Sequence, residues 1–269
     1  MQVGSSKNAR LIEVFSAIQG EALNIGTRQI FIRFAICDLR CSYCDSAHTW
    51  QVPAQVRIER TPGLRDFEFH ANPVQISDLL TWVERQNQPG LHDSISLTGG
   101  EPLLHAPFLV EFLPLVKRLT GLPIYLETGG HRPTELAMVL HDLDSVGMDI
   151  KLPSVSGESH WEAHRQFLQL CVDAEKEVFV KIIISSETVA GELEKAAELV
   201  AAVSEKVPVY LQPVTPLREE EKARMKGEKN DKLLLAPSPE QVLQWQGLMK
   251  RYLKQVRVIP QTHKMLNQL

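Results

Sequence analysis

The sequence predicts an α/β fold on a parallel sheet, and three observations predict it. After a first strand at 29–36, a strand–helix unit repeats about six times. Such alternation favours parallel strands joined by right-handed crossovers. The runs taken as strands are short, apolar and in places rich in β-branched residues, as in Val178-Phe179-Val180-Lys181-Ile182-Ile183-Ile184. Finally, each polar or glycine-rich cluster falls at the carboxyl end of such a run, where ligands sit in open and closed parallel sheets alike. Period alone does not decide whether the sheet closes.

In chain order, Leu11-Ile12-Glu13-Val14-Phe15 reads as a strand running towards Gln19-Gly20-Glu21. Gln29 to Ile36 is the strand that delivers the chain to Cys37. Residues 51–73 carry Pro53, Pro62, Gly63 and Pro73 among charges, show no clear period, and read as an irregular insert. A helix follows, with Ser77 as cap and Leu79, Leu80 and Val83 at helical spacing. Ser94–Leu97 is a strand ending in Thr98-Gly99-Gly100-Glu101-Pro102, and Pro107–Thr120 is a helix containing Pro114. Pro123–Leu126 is a strand ending in Glu127-Thr128-Gly129-Gly130, and Pro133–His141 is a helix with proline near its first turn. Ser145–Ile150 is a strand ending at Lys151, and Glu158–Val172 is a helix. The strand at 178–184 precedes an Ala/Glu/Leu helix at 187–205. Val207–Leu211 ends in Gln212-Pro213, Pro239–Lys254 is a helix, and Val256–Ile259 leads into Gln261-Thr262-His263-Lys264. Residues 217–237 break the alternation with eleven charges of mixed sign and read as a charged insert, a solvated helix or loop. Residues 1–269 otherwise read as one domain.

At 269 residues the chain is long enough to bury a full core. A formal charge of −4 gives no reason to expect a nucleic-acid footprint. No run of about 18 apolar residues marks a membrane span, and the polar first ten residues lack the apolar region of a signal peptide. The expectation is a cytoplasmic protein, in which four cysteines serve as ligands or core rather than as disulfides. Cys171, within Phe167-Leu168-Gln169-Leu170-Cys171-Val172, reads as a small buried hydrophobe.

The other three cysteines form Cys37-x-x-x-Cys41-x-x-Cys44. Three thiolates on one short loop can hold three corners of a soft metal centre. A structural zinc site needs four protein ligands, and His48 is the nearby candidate for the fourth. Iron–sulfur clusters are held by cysteine runs of this kind, and three cysteines on a 4Fe-4S cluster would leave one iron open. His160 and His164, at i and i+4 on a helix, are either a metal-chelating pair or simply solvated or packed.

The loop, with Tyr43 just before the last cysteine, resembles the signature of the radical S-adenosylmethionine (SAM) superfamily. Thr98-Gly99-Gly100-Glu101-Pro102 resembles that superfamily's second motif. The resemblance implies a partial (β/α)6 barrel with parallel strands and outer helices. It also implies a 4Fe-4S cluster on Cys37, Cys41 and Cys44, whose open iron chelates SAM and yields a 5′-deoxyadenosyl radical. SAM contacts are implied for Tyr43, Asp45, Gly100, Glu101, Thr128, for Asp149-Ile150-Lys151, and for Gln212-Pro213-Val214-Thr215.

Gln19-Gly20-Glu21, Arg33, Cys44-Asp45-Ser46 and Gln261-Thr262-His263-Lys264 further resemble the 7-carboxy-7-deazaguanine synthase family. That resemblance implies rearrangement of 6-carboxy-5,6,7,8-tetrahydropterin, catalytic SAM and Mg²⁺. Ser46 would be the Mg²⁺ ligand, and the pterin would lie among Ile18, Gln19, Gly20, Glu21, Arg33, Thr98, His263 and Leu269. A flavodoxin- or ferredoxin-type reductant and a homodimer are implied as well. No protein side chain is singled out as the catalytic group. The chain departs from the family pattern at Ala22, Gly129 and Asp149-Ile150-Lys151, the last being similar to glycyl-radical activating enzymes. Such an activase, or a zinc-stabilised scaffold without activity, is the alternative reading.

Overall fold

The computed structural model describes residues 7–217, 234–266 and 268. The strands are β1 (Asn8–Ala9), β2 (Leu11–Ile18), β3 (Arg28–Phe34), β4 (Gln55–Glu59), β5 (Phe67–Ala71), β6 (Val74–Gln75), β7 (Ser94–Gly99), β8 (Ile124–Thr128), β9 (Ser145–Asp149), β10 (Glu177–Ile184), β11 (Val209–Pro213) and β12 (Val256–Val258). The helices are α1 (Ile76–Gln86), α2 (Ala106–Thr120), α3 (Pro133–Val139), α4 (Pro153–Ser156), α5 (Trp161–Asp173), α6 (Ala190–Val203), α7 (Pro239–Met249) and α8 (Thr262–Met265).

Ten strands form one sheet in the order β12-β11-β10-β9-β8-β7-β3-β2-β4-β5. From β3 through β11 six neighbouring strands are parallel, and β12 adds a seventh on the same terms. The six are the expected (β/α)6 core. Among the described residues no pairing joins the edges β12 and β5, and the sheet there is an open barrel wall. One face of each strand is apolar and meets the helices: Ile30, Ile32, Leu97, Leu126, Val146, Val180, Ile182 and Leu211 share a buried cluster with Phe108, Phe112, Leu136, Phe167, Leu193 and Trp245. Each helix packs on the next around the outside, α1 on α2, α2 on α3, α3 on α5, α5 on α6 and α6 on α7.

The inner face reads differently. Near its floor Tyr125, Phe179 and Tyr210 pack together with Ala22. Gly147 makes room for them, since a Cβ there would lie 2.4 Å from the Tyr125 hydroxyl and 2.6 Å from the Phe179 ring. Above this floor the inner face is polar. Two-residue alternation along a strand separates the two faces.

Three expectations need correction. Residues 51–73 are not irregular: β4 and β5 are an antiparallel hairpin, and β4 pairs in parallel with β2. The alternation of Val56 and Ile58, buried, with Gln55 and Arg57 is short enough to be hidden by the prolines on either side. Ser77 does not cap α1; Gln75 stands at that position and makes no side-chain cap bond. Lastly, α7 ends at Met249 rather than Lys254; its start is set by Ser238, which accepts from the Gln241 N–H while Gln241 accepts from the Ser238 N–H. Most of the charged insert at 217–237 lies outside the described residues.

Candidate active site

The inner face opens into a cavity of about 640 Å³ at the carboxyl ends of the parallel strands. Ile18, Gln19, Gly20, Glu21, Arg33, Thr98 and His263 line it, together with Cys37, Cys41, Tyr43, Cys44, Asp45 and Ser46. So do Gly100, Glu101, Thr128, Asp149, Lys151, Gln212, Pro213, Val214 and Thr215. Ile150 is the exception. Its side chain is in the apolar core, 1% exposed, and its N–H donates to the Lys181 carbonyl. Leu269 lies outside the described residues.

The cysteine loop leaves β3 and turns tightly, with the Cys44 N–H on the Cys41 carbonyl at 3.1 Å. Ser42 anchors it by donating to the Val155 carbonyl, and the Arg40 guanidinium donates to the Cys37 carbonyl at 2.8 Å. Gly100 packs under the loop: a Cβ there would sit 2.1 Å from the Ile36 carbonyl oxygen, so another residue type would displace the cysteines. The three thiols are free of disulfides. Burial pushes the Cys37 thiol up to about 12 and raises Cys41 and Cys44 as well. Soft metal binding would draw these protons off. Among the described residues no three His, Cys, Asp or Glu side chains are set to hold a single ion. A cluster asks for something else, thiolates on separate irons, and the shared cavity wall with three unpaired thiols fits it.

Glu21 is the centre of a buried polar network. Lys181 donates to its Oε2, while Gln212 and Gln261 donate to Oε1 at 3.1 and 2.8 Å. Burial works to raise the Glu21 carboxyl, but Lys181, together with His263 and Gln261, outweighs it and holds the group well below the usual range. The Gln19 side-chain amide oxygen, Oε1, accepts from the N–H groups of Gly20 and Glu21 at 2.8 and 3.1 Å, fixing the turn. Gly20 is there because His263 lies against it, with a Cβ only 2.3 Å from the His263 nitrogen. Arg33 gives its Nε to Glu13 at 2.6 Å and lies over the Phe15 ring. Glu13 also binds Arg57, and the two guanidiniums hold its carboxyl low against the opposing effect of burial.

On the far wall Asp149 bridges Lys151 at 2.7 Å and Lys181 at 3.3 Å. Thr98 donates to Glu127 at 2.9 Å. The Glu101 carboxylate, 1% exposed, accepts from Thr128 and from the Gly129 and Leu103 N–H groups. It therefore organises the neighbouring loop, whatever else its backbone meets. Asp45, expected near SAM, accepts from Ser46 at 3.2 Å and from Gln261 and Lys264 at 2.9 Å each. It ties the cysteine loop to the C-terminal segment. His164 is no ligand. It is fully buried, hydrogen-bonded to the Gly130 carbonyl and accepting from the Lys151 N–H, and burial lowers it to about 3. His160 pairs instead with Glu158 at 3.0 Å.

Sequence reasoning missed Glu13, Lys181 and Gln261's bond to Glu21. Each sits inside a segment read as core or tail. A charged residue on an otherwise apolar strand, as at 13 and 181, was the available signal.

A family model of the radical SAM superfamily matches residues 31–200, more than half of the chain. The chain is 43% identical to the 7-carboxy-7-deazaguanine synthase of Geobacter sulfurreducens, over 98% of this chain and 100% of the relative. It is 34% identical to the 7-carboxy-7-deazaguanine synthase of Methanothermobacter thermautotrophicus, over 77% of this chain and 83% of that one. Its fold is similar to the crystal structure of QueE from Escherichia coli, with a TM-score of 0.52, 20% identity, and coverage of 80% of this chain and 87% of that one. The match to the Geobacter sulfurreducens relative covers 98% of the chain, so it extends beyond residues 31–200. The chain belongs to the radical SAM superfamily and, within it, to the 7-carboxy-7-deazaguanine synthase family.

Proposed function

We propose that the protein converts 6-carboxy-5,6,7,8-tetrahydropterin into 7-carboxy-7-deazaguanine, with a 4Fe-4S cluster, SAM and Mg²⁺. The observation that carries this reading is one cavity in which a buried carboxylate, Glu21, and a guanidinium, Arg33, share walls with three free thiols. A pterin presents an amide–amidine edge that a carboxylate can pair through two hydrogen bonds. Lys181 favours the ionised form of Glu21, and one pterin N–H would take the place of the Gln212 and Gln261 amides on Oε1 while the other shares Oε2 with Lys181. Arg33 offers the planar fork suited to the substrate carboxylate, steadied by Glu13 and Phe15.

Cys37, Cys41 and Cys44 would hold the cluster, which supplies the electron that cleaves SAM to a hydrogen-abstracting radical. The Gly99-Gly100 turn, Thr128, Asp149, Lys151 and the 212–215 segment would surround SAM. Ser46, the residue before a short 3-10 turn, would give its hydroxyl to Mg²⁺, a hard ion that takes few protein oxygens beside water and substrate. The rest of the chain's work is to orient the pterin and exclude water. A flavodoxin- or ferredoxin-type protein would deliver the electron, and a cytoplasmic homodimer is the expected state. Among the described residues no helix is long and apolar enough to cross a membrane.

The test is anaerobic turnover of the carboxy-tetrahydropterin with SAM, reductant and Mg²⁺. The expected result is 7-carboxy-7-deazaguanine, with loss of both iron and SAM cleavage in Cys37→Ala. A colourless protein with one bound zinc, or SAM cleavage retained by Cys37→Ala, would end this reading.

A further inference from the structure

Lys181 is unassigned by any motif, yet it is the most enclosed cation of the cavity. It stands on the inner face of β10, directly opposite Asp149 on β9 and Tyr210 on β11. Its side chain is 8% exposed. Three carboxylates from three different elements converge on its ammonium: Glu21 after β2, Glu127 on β8 at 3.1 Å, and Asp149 on β9 at 3.3 Å. Beneath it lies the aromatic floor of Tyr125, Phe179 and Tyr210, which keeps water away from that side.

The three carboxylates are not equally dependent on it. Asp149 has a second cation, Lys151, at 2.7 Å. Glu127 accepts from Thr98 as well, and burial raises its carboxyl, so it tolerates a neutral state. Among the described residues Glu21 is hydrogen-bonded to Lys181 and to two neutral glutamine amides, and burial pushes the nearby His263 towards its neutral form. Removing the ammonium would leave Glu21 buried without a cation, and a buried carboxylate then either takes up a proton or turns away. Either change destroys the two-acceptor edge that an amidine needs.

We propose that Lys181 is a positioning residue for the pterin, the cation that keeps Glu21 ionised and aimed into the cavity. This rests on the assignment of Glu21 to the pterin. Lys181 itself need not touch the substrate. Its role also accounts for Asp149, one of the departures from the family pattern: the acid is accommodated because Lys181 and Lys151 flank it.

The experiment is a double-mutant cycle on the reconstituted holoenzyme with Lys181→Met, Glu21→Gln and the pair, reading KM for pterin, KM for SAM and iron per chain. Lys181→Met is expected to raise the pterin KM at least tenfold while the SAM KM moves less than threefold. In the Glu21→Gln background the same change is expected to add less than threefold, because the group it positions has lost its charge. The double variant removes both charges together and leaves no buried orphan, so it serves even if Lys181→Met alone loses iron. A pterin KM unchanged in Lys181→Met beside a defective Glu21→Gln overturns this proposal alone. So does a further tenfold rise in the double variant, or a parallel rise in both KM values. A wild-type pterin KM in Glu21→Gln overturns the assignment of Glu21 and this proposal with it.

Discussion

Ala22 illustrates how one residue can hold two opposed terms. Its φ is +49, in the left-handed region that costs an L-residue roughly 1–2 kcal/mol. Its methyl, though, is 3% exposed and packs on the aromatic floor, a burial worth about 0.8 kcal/mol. The terms nearly cancel. Ala22→Gly is therefore expected to change stability by no more than about 1 kcal/mol, while Ala22→Val, β-branched at positive φ, is expected to lose about 2 kcal/mol or more. Denaturant titration of the cluster-free protein reads both. Gly129 is a second departure with a physical reason: a Cβ there would meet the His131 ring at 2.8 Å and Leu39 at 3.1 Å, so the histidine occupies the space a longer residue would need. At Ser46 the prediction is chemical. Ser46→Ala is expected to raise the Mg²⁺ concentration for half-maximal turnover, and an unchanged titration would remove the hydroxyl from the metal. These residue-level facts were half legible. The motifs located Cys37, Cys41, Cys44, Glu21 and Arg33 on one cavity, but a backbone φ, or a neighbour 90 positions away as Leu39 is from Gly129, has no signature in local spacing.

At the scale of elements, the parallel core was readable because strand and helix periods alternate cleanly, whereas the β4–β5 hairpin was hidden by its flanking prolines. Helix α5 shows what a helical pattern does and does not reveal. Its buried face, His164, Phe167, Leu168 and Cys171, follows the expected spacing. What the pattern concealed is that His164 is a connector, bonded at one nitrogen to the Gly130 carbonyl and at the other to the Lys151 N–H. Those bonds require the neutral ring, protonated on Nδ1. Burial lowers it to about 3, against about 6.5 in an unfolded chain. Below pH 6.5 the unfolded chain therefore binds a proton that the folded chain refuses. The stability His164 contributes is complete above pH 6.5 and is lost as pH falls towards 3, at up to about 1.4 kcal/mol per pH unit. His164→Leu is expected to cost most at pH 7 to 8 and progressively less at pH 6 and 5. Denaturation of the cluster-free protein across that range checks the sign: a cost that grows on acidification would mean that the ring is charged in the folded protein.

At the scale of the whole molecule, the cavity is closed by segments that the superfamily match leaves out. The match spans 31–200, yet Glu21 lies before it, and Gln212, Gln261 and Lys264 lie after it. Gln261 reaches both Glu21 and Asp45, Lys264 holds Asp45 at 2.9 Å, and the Thr262 N–H donates to the Gly20 carbonyl at 2.9 Å. The open barrel wall, with β12 and β5 as separate edges, thus has its mouth spanned by the chain's last turn. The sequence suggested a C-terminal role through resemblance; it could not show the contacts, since they pair residues 240 and 216 positions apart. Besides the Asp45 link to this segment the cysteine loop has anchors of its own, Ser42 on the Val155 carbonyl and Gly100 packed against Ile36. The two functions should then separate. A chain ending at Ile259 is expected to retain its iron and to go on producing 5′-deoxyadenosine from SAM. With Glu21 deprived of Gln261, Asp45 of Gln261 and Lys264, and the mouth open to water, it is expected to form product at least a hundredfold more slowly. The ratio of 5′-deoxyadenosine to deazaguanine product, measured by chromatography, decides the matter. A ratio equal to wild type would place the C-terminal segment outside the reaction, and a loss of iron would make the segment part of the cluster's support instead.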